Sequence, residues 1–157
     1  MATPQIKVID NKVPYNEIRR IPKTRKARQK YIKTKLSVLN HKYRSCPALN
    51  GLVYFYYKYD PIKKREDGSI VETAYWASKS HKSAVCALNL SAIISNATLI
   101  QSVNPKPAPG NQTSTFHFTK VHILYTKVRY YGVAKLTIGE QKTGNLVHYC
   151  VSSIKIK

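Results

Sequence analysis

The chain has 157 residues, of which 43% are hydrophobic, and 27 Lys and Arg stand against 7 Asp and Glu, for a formal net charge of +20. This length suits one domain, or one domain with an arm, and the hydrophobic share is too high for a fully disordered chain. A charge of this size repels itself unless a polyanion neutralises it, so nucleic acid is the first partner to consider.

The positive charge is concentrated near the start of the sequence. Residues 19–44, the basic segment, contain eleven Lys and Arg and no Asp or Glu. Residues 1–65 carry a net +14, whereas residues 66–157 carry a net +6. We therefore predict a basic N-terminal arm, partly helical, over residues 1–50, followed by a packed domain over residues 51–157.

Cysteine spacing and hydropathy exclude several classes of protein. Cys46, Cys86 and Cys150 form no CxxC pair, so a zinc site built on paired thiolates is not expected, and free thiols fit a reducing compartment. Residues 1–30 contain no long apolar run, and no stretch approaches the roughly 18 apolar residues of a membrane helix. We expect no metal, no cofactor, no membrane association and a cytoplasmic location.

In the first half of the chain, the patterns predict a short strand near Ile6 and Val8, then one helix and two further strands. A helix begins after Thr24, a plausible N-cap, and carries a narrow apolar stripe that includes Ile32 and Leu36. Residues 52–59 are aromatic and β-branched, which predicts a strand, and residues 70–76 predict a shorter one after an Asp-Gly turn.

In the second half, residues 84–97 predict a helix that is apolar nearly all round and therefore buried. The proline-rich residues 104–111 predict an exposed connection. Three strands follow, over residues 115–128, 133–140 and 146–156, and their short connections favour an antiparallel meander. The fold class is α+β, with helices packed on one face of a mainly antiparallel sheet and the other face open.

The open face of this sheet is the first candidate site. Lys135 and Thr137 alternate with apolar residues along one strand, so both face the open side. His117 and His122 are separated by an odd number of residues and point to opposite faces of an ideal strand, so one of them is expected to be structural. An ordinary solvated strand face remains the alternative for Lys135 and Thr137.

Cleavage of RNA without a metal ion needs a base for the 2′-hydroxyl, an acid for the leaving oxygen and a cation for the phosphorane. His, Lys, Tyr and Thr on adjacent strands supply these groups. Glu140 is the only acidic residue after Glu72, which argues against a catalytic carboxylate pair and against a two-metal nuclease.

Cations form the second candidate site, for the phosphates of a nucleic acid. Lys82 lies in Ser80-His81-Lys82-Ser83, just before a predicted helix, where backbone N–H groups favour anions, although a simple polar cap is the alternative. The predicted nucleic-acid-binding residues are Arg19, Arg20, Lys23, Arg25, Lys26, Arg28, Lys30, Lys33, Lys35 and Lys82.

The last 90 or so residues also resemble a known group of proteins. The resemblance rests on Glu72-Thr73-Ala74-Tyr75, Ser80-His81-Lys82-Ser83, Ala87-Leu88-Asn89-Leu90, Ile94-Ser95-Asn96-Ala97, Phe116-His117-Phe118 and Tyr149-Cys150-Val151. They are similar to the nuclease-like modules of phage and mobile-element polyvalent proteins, which are grouped with barnase, uridylate-specific endoribonucleases, colicin-type tRNA nucleases and RelE toxins.

The resemblance implies metal-independent cleavage or binding of RNA and a four-stranded antiparallel sheet preceded by one or two helices. Matched position by position, the resemblance assigns site roles to His117 and Tyr149, and also to Lys135. It also implies that the protein is phage-encoded or carried by a mobile element, and hence acts in the host cytoplasm. This sequence departs from that pattern in one respect, because such modules usually form part of long polypeptides.

The leading hypothesis is an RNA-directed, nuclease-like protein, either a metal-independent endoribonuclease or a toxin-like RNA binder. His117, Lys135, Thr137 and Tyr149 would surround a phosphate, and the basic segment would supply most of the affinity. One alternative is a non-catalytic protein that coats or packages nucleic acid for a virus or mobile element. Another is an inhibitor that docks on an acidic protein surface. RNA is favoured over DNA as the partner.

Overall fold

The computed structural model describes residues 5–55, 58–62, 64–67, 69–104 and 118–154. The helices in these ranges are α1 (Tyr15–Arg20), α2 (Arg25–Leu36), α3 (Ser69–Ala77), α4 (His81–Leu88) and α5 (Leu90–Asn96). The strands are β1 (Val8–Ile9), β2 (Tyr43–Cys46), β3 (Gly51–Tyr54), β4 (Lys58–Asp60), β5 (Arg65–Asp67), β6 (Thr98–Val103), β7 (Phe118–Val128), β8 (Gly132–Gln141) and β9 (Leu146–Ile154). None of the helices described here is long and apolar enough to cross a membrane.

Seven strands form one mixed sheet in the order β1, β7, β8, β9, β3 and β2, with β6 also paired to β7. The meander of β7, β8 and β9 is antiparallel, as predicted, and β6 pairs antiparallel with β7. Two pairings are parallel, β1 with β7 and β3 with β9, and both join early strands to late ones. Strands β4 and β5 form a separate hairpin. The α+β class is thus confirmed.

The helices cover one face of this sheet. Helix α3 packs on β9, α4 packs on β8 and β9, and α5 contacts β1, β2 and β7, so the curled sheet wraps around α5. Leu124, Leu136 and Val151 are buried on the covered face. Lys135 and Thr137 alternate with the buried positions of β8 and are half-buried on the opposite, open face. The alternation read from the sequence therefore predicts both faces of β8 correctly.

The basic segment forms an outer layer of the molecule. Thr24 caps α2 as predicted, since its Oγ1 accepts a hydrogen bond from the Ala27 N–H at 3.3 Å. Ile32 and Leu36 are buried, and α2 packs on α3 and α4. Because β1 and β2 also join the sheet, the separate arm predicted over residues 1–50 is not confirmed.

Two local predictions were wrong. Residues 70–76 form helix α3 and no strand, because Ile70, Ala74 and Ala77 share one buried side at helical spacing. The single helix over residues 84–97 is two helices that meet at Asn89, a residue that competes with helical backbone bonds. Strand β6 occupies residues 98–103, to which no element was assigned from the sequence. The proline-rich connection and the start of the first meander strand lie outside the described residues.

His148 on β9 is an imidazole inside the hydrophobic core. It is 0% exposed, its ring centroid lies 5.0 Å from that of Phe55, and neither ring nitrogen has a hydrogen-bond partner among the residues that the structure describes. Burial disfavours the charged imidazolium and lowers the pKa of His148 to about 3. The folded protein therefore holds a neutral histidine over most of the pH range.

This burial predicts that stability falls in mild acid. Below pH 6.5 His148 becomes protonated in the unfolded chain, whereas in the folded chain it stays neutral down to about pH 3. Between these two pH values the unfolding free energy therefore falls by up to about 1.4 kcal/mol per pH unit. Urea unfolding between pH 7.5 and 5 measures this slope. His148→Leu should reduce this slope, because one proton fewer is taken up on unfolding. His81→Ala, at an exposed position, should leave the slope unchanged. Equal slopes for wild type and His148→Leu would contradict the prediction.

Candidate nucleic-acid interface

Helix α2 presents three of its cations along one side. Lys26, Lys30 and Lys33, the lysine row, are spaced four and three residues apart and therefore lie on the same helix face, spread over about 10 Å. This face borders an open groove of about 550 Å³ between α2 and α3, where Val71 and Ala74 form part of the opposite wall. The groove thus has a cationic wall and an apolar wall.

The two arginines of α2 have structural contacts. Arg28 donates from Nε to the Ser78 carbonyl oxygen at 2.9 Å and from Nη1 to the Lys23 carbonyl oxygen at 2.6 Å. Arg25 lies with its Nε 3.5 Å from the Ser78 hydroxyl. Both guanidinium groups therefore fasten the start of α2 to the end of α3, and Arg28 has less capacity left for phosphate than the exposed Lys26 and Lys30 have.

An aromatic–cation cluster, Arg25, Tyr75, Trp76 and Lys79, continues the surface at the end of α3. The Tyr75 and Trp76 rings meet edge to face with centroids 5.3 Å apart, and they are 46% and 39% exposed. The Arg25 guanidinium lies 5.0 Å from the Tyr75 centroid and the Lys79 ammonium 4.1 Å from the Trp76 centroid. Large exposed aromatic faces beside cations are typical of surfaces that bind unpaired bases.

Tyr75 and Trp76 are absent from the site predicted from sequence, because a strand over residues 70–76 would place them on opposite faces. In helix α3 they are neighbours on an exposed side. The signal that could have found them is the helical spacing of Ile70, Ala74 and Ala77, which fixes the buried side of α3.

The remaining predicted cations lie outside the lysine row and the aromatic–cation cluster. Lys82 is exposed in the first turn of α4, but the Ser80 hydroxyl caps that helix by accepting from the Ser83 N–H at 3.1 Å. Lys35 lies 3.7 Å from Glu17. The other cations predicted before α2 are exposed: Arg19, Arg20 and Lys23.

The predicted catalytic residues are only partly described. His117 lies outside the described residues, and for Tyr149 the structure gives the backbone alone, as the extra residue of a β-bulge between β8 and β9. Lys135 and Thr137 lie side by side on the open face of β8, opposite Tyr125 and Ile123 of β7. Of the four, therefore, two are brought together.

The lysine row and the pair Lys135 and Thr137 lie on opposite sides of the molecule. Helix α2 rests on α3 and α4, which in turn rest on β8 and β9. Lys135 and Thr137 point away from that helix layer. A phosphate bound to the lysine row is thus separated from the open sheet face by a layer of helices and by the sheet itself.

Comparison with known proteins gives no independent guide to this surface: no protein-family model, curated protein or solved structure matches the chain. The described residues also contain no group of three or more His, Cys, Asp or Glu side chains that could hold a metal ion.

The Arg28 contacts predict a specific cost for a charge-conserving change. Arg28→Lys keeps the cation but loses the planar fork that reaches two carbonyl oxygens, so we expect a loss of about 1–2 kcal/mol in unfolding free energy. Urea denaturation measures the loss, and Arg19→Lys at an exposed position is the matched control. If the two variants are equally stable, Arg28 does not fasten α2 to α3.

Proposed function

We propose that this protein binds nucleic acid through the lysine row and the aromatic–cation cluster, and that its partner is RNA with unpaired bases. The observation that carries the proposal is that the cations of α2 and the exposed rings of Tyr75 and Trp76 on α3 lie on two helices packed together, which the Arg25–Tyr75 contact joins. One element supplies the charge, and the neighbouring one supplies the stacking surface.

Charge supports a polyanionic partner. The basic segment holds eleven cations and no acid, and carboxylates elsewhere are few, with 7 in the whole chain. Lysine ammonium groups on a helix surface contact a phosphate backbone without reading its sequence, and each contact releases condensed counterions. Such a surface binds with a strong dependence on salt and with little base preference.

The aromatic rings support unpaired bases over a duplex. Bases in a double helix are stacked on one another and have no free faces, whereas bases in loops and single strands can stack on Tyr and Trp. RNA presents such regions most often, which agrees with the partner inferred from sequence. We further propose that binding takes place in the cytoplasm of the cell that contains the protein.

Removing the lysine row should weaken binding and lower its salt dependence. We expect the variant with Lys26→Gln, Lys30→Gln and Lys33→Gln to bind a single-stranded RNA 20-mer at least tenfold more weakly at 0.15 M salt. The slope of log affinity against log salt should fall by about 1.4, because the exposed Lys26 and Lys30 each contribute roughly 0.7 through a phosphate contact on a single strand. Fluorescence anisotropy over a salt series measures both.

The matched control removes the same charge elsewhere. Lys7, Lys12 and Lys142 are exposed and lie outside α2 and α3. If Gln at these three positions weakens binding as much as Gln in the lysine row, net charge explains the affinity and the proposed interface is wrong. If neither variant binds less RNA, the partner is not a nucleic acid, and an acidic protein surface becomes the better explanation.

Endoribonuclease activity is a second candidate function. The observation that favours it is the pair Lys135 and Thr137 on the open face of β8, where a cation and a hydroxyl lie beside Tyr125 on the neighbouring strand. A lysine ammonium there could stabilise a phosphorane, and His117 and Tyr149 remain the proposed acid and base. This site would be distinct from the lysine row.

The nuclease proposal predicts cleavage of RNA in EDTA and no cleavage of the same sequence as DNA, which lacks the 2′-hydroxyl nucleophile. His117→Ala and Lys135→Ala should each reduce cleavage at least 100-fold. The lysine-row variant should keep its maximal rate at saturating RNA. Intact RNA after prolonged incubation with wild type would leave a binding or packaging protein as the function.

A further inference from the structure

Ser102, His122 and Glu140, the serine–histidine row, are connected by hydrogen bonds across three adjacent strands. The Ser102 Oγ lies 2.7 Å from His122 Nδ1, and Glu140 Oε1 lies 3.2 Å from His122 Nε2. Ser102 on β6 stands directly opposite His122 on β7, and Glu140 belongs to β8. None of the three belongs to the proposed interface or to the open face of the sheet.

The two hydrogen bonds determine how the proton on the imidazole is placed. A carboxylate can only accept, so Nε2 of His122 carries the hydrogen that is donated to Glu140. In the neutral ring Nδ1 is then an acceptor, and the Ser102 hydroxyl must donate to it. This is the arrangement of a base that is ready to take a proton from a serine nucleophile.

The exposure of the three side chains also fits a serine nucleophile with a histidine base. His122 is 7% exposed, so its ring is largely shielded from water, whereas Ser102 is exposed on the edge strand β6. The Glu140 side chain is 37% exposed. A hydroxyl that a substrate can reach is therefore joined to a sheltered imidazole.

Irregularities in the sheet surround this row. Ile100 is an extra residue in the pairing of β6 with β7, and Thr119 is an extra residue in the pairing of β7 with β8. The Thr119 hydroxyl donates to the Glu140 carbonyl oxygen at 3.2 Å. Bulges re-aim side chains and are common beside active sites.

We propose that Ser102 is an activated nucleophile that accepts the acyl group of a carboxylic ester, with His122 as its general base and Glu140 as a positioning residue. The Ser102 Oγ forms a bond to the carbonyl carbon while its proton moves to His122 Nδ1. When the tetrahedral intermediate collapses, the C–O bond to the leaving alcohol breaks and the alcohol takes that proton. Water then releases the acid by the same two steps, and Ser102 is regenerated.

The test is acetylation of the full chain by p-nitrophenyl acetate at pH 7.5, followed by digestion and fragment-ion mass spectrometry that locates the acetyl group on individual residues. We expect Ser102 to be acetylated at least tenfold faster than Ser45, an exposed serine on the edge strand β2. Both serines are compared in one molecule, so differences in folding cannot explain the result. A rate at Ser102 no greater than at Ser45 overturns the proposal.

Three variants assign the roles. Ser102→Ala should abolish the acetylated peptide, and His122→Gln should slow its formation at least 100-fold. Glu140→Gln should slow it less and shift its pH profile, which a purely structural role would not do, while Ser45→Ala should leave the Ser102 rate unchanged. Acetylation of Ser102 that is insensitive to His122→Gln in a folded variant also overturns the proposal. RNA binding and cleavage are measured separately, so this result does not depend on them.

Discussion

The docking of α2 on the helices beneath it is the interaction on which the surface chemistry depends. Burying the Ile32 side chain completely and Leu36 almost completely contributes several kcal/mol, of the order of 1.5–3 for each residue. This burial turns the densest charge in the chain into a fixed array. Without it, the basic segment would be a solvated chain whose cations have no defined spacing. The Arg28 contacts to two backbone carbonyl oxygens set the angle at which α2 leaves the preceding turn.

A consequence of this docking is that the two sites expected from the sequence do not share a surface. Hydrophobic burial places α2 on the helix layer, and strand alternation points Lys135 and Thr137 to the other side. If one RNA molecule were bound at the lysine row and cleaved near Lys135, that RNA would have to pass around the edge of the sheet. A long, flexible RNA can do so, whereas a short duplex cannot. If both proposed sites act on one RNA, that RNA must therefore be long and flexible.

Local patterns predicted the parts of the fold that local physics decides. Strict alternation in β8 fixed which residues are buried, and the Thr24 cap and the Ile32–Leu36 stripe fixed α2. The pattern failed for α3, where a β-branched and aromatic composition outweighed a helical spacing of small residues. It indicated a short strand near Ile6 and Val8 but not the partner of β1, which lies about 120 residues further along the chain, and it did not indicate β2.

The candidate sites follow the same division. The cations of α2 could be read directly from the sequence, because charge is a property of composition. The aromatic–cation cluster required the correct element type for residues 69–77, and the serine–histidine row required strand pairings that no local pattern contains. The sequence predicted only that one of His117 and His122 is structural. It did not predict the partners of His122, which lie 20 residues before it and 18 residues after it.

The spacing of the lysine row also means that ionic strength has opposite effects on the stability of α2 and on the binding of a polyanion to it. Lys26 and Lys30 are four residues apart and Lys30 and Lys33 three, so like charges repel along one side of α2, at a cost of about 0.2–0.5 kcal/mol for each pair. Added electrolyte screens that repulsion and favours the helix, while it competes with any polyanion for the same ammonium groups. The conditions under which the free molecule is most robust are therefore those under which its surface is least able to hold a ligand.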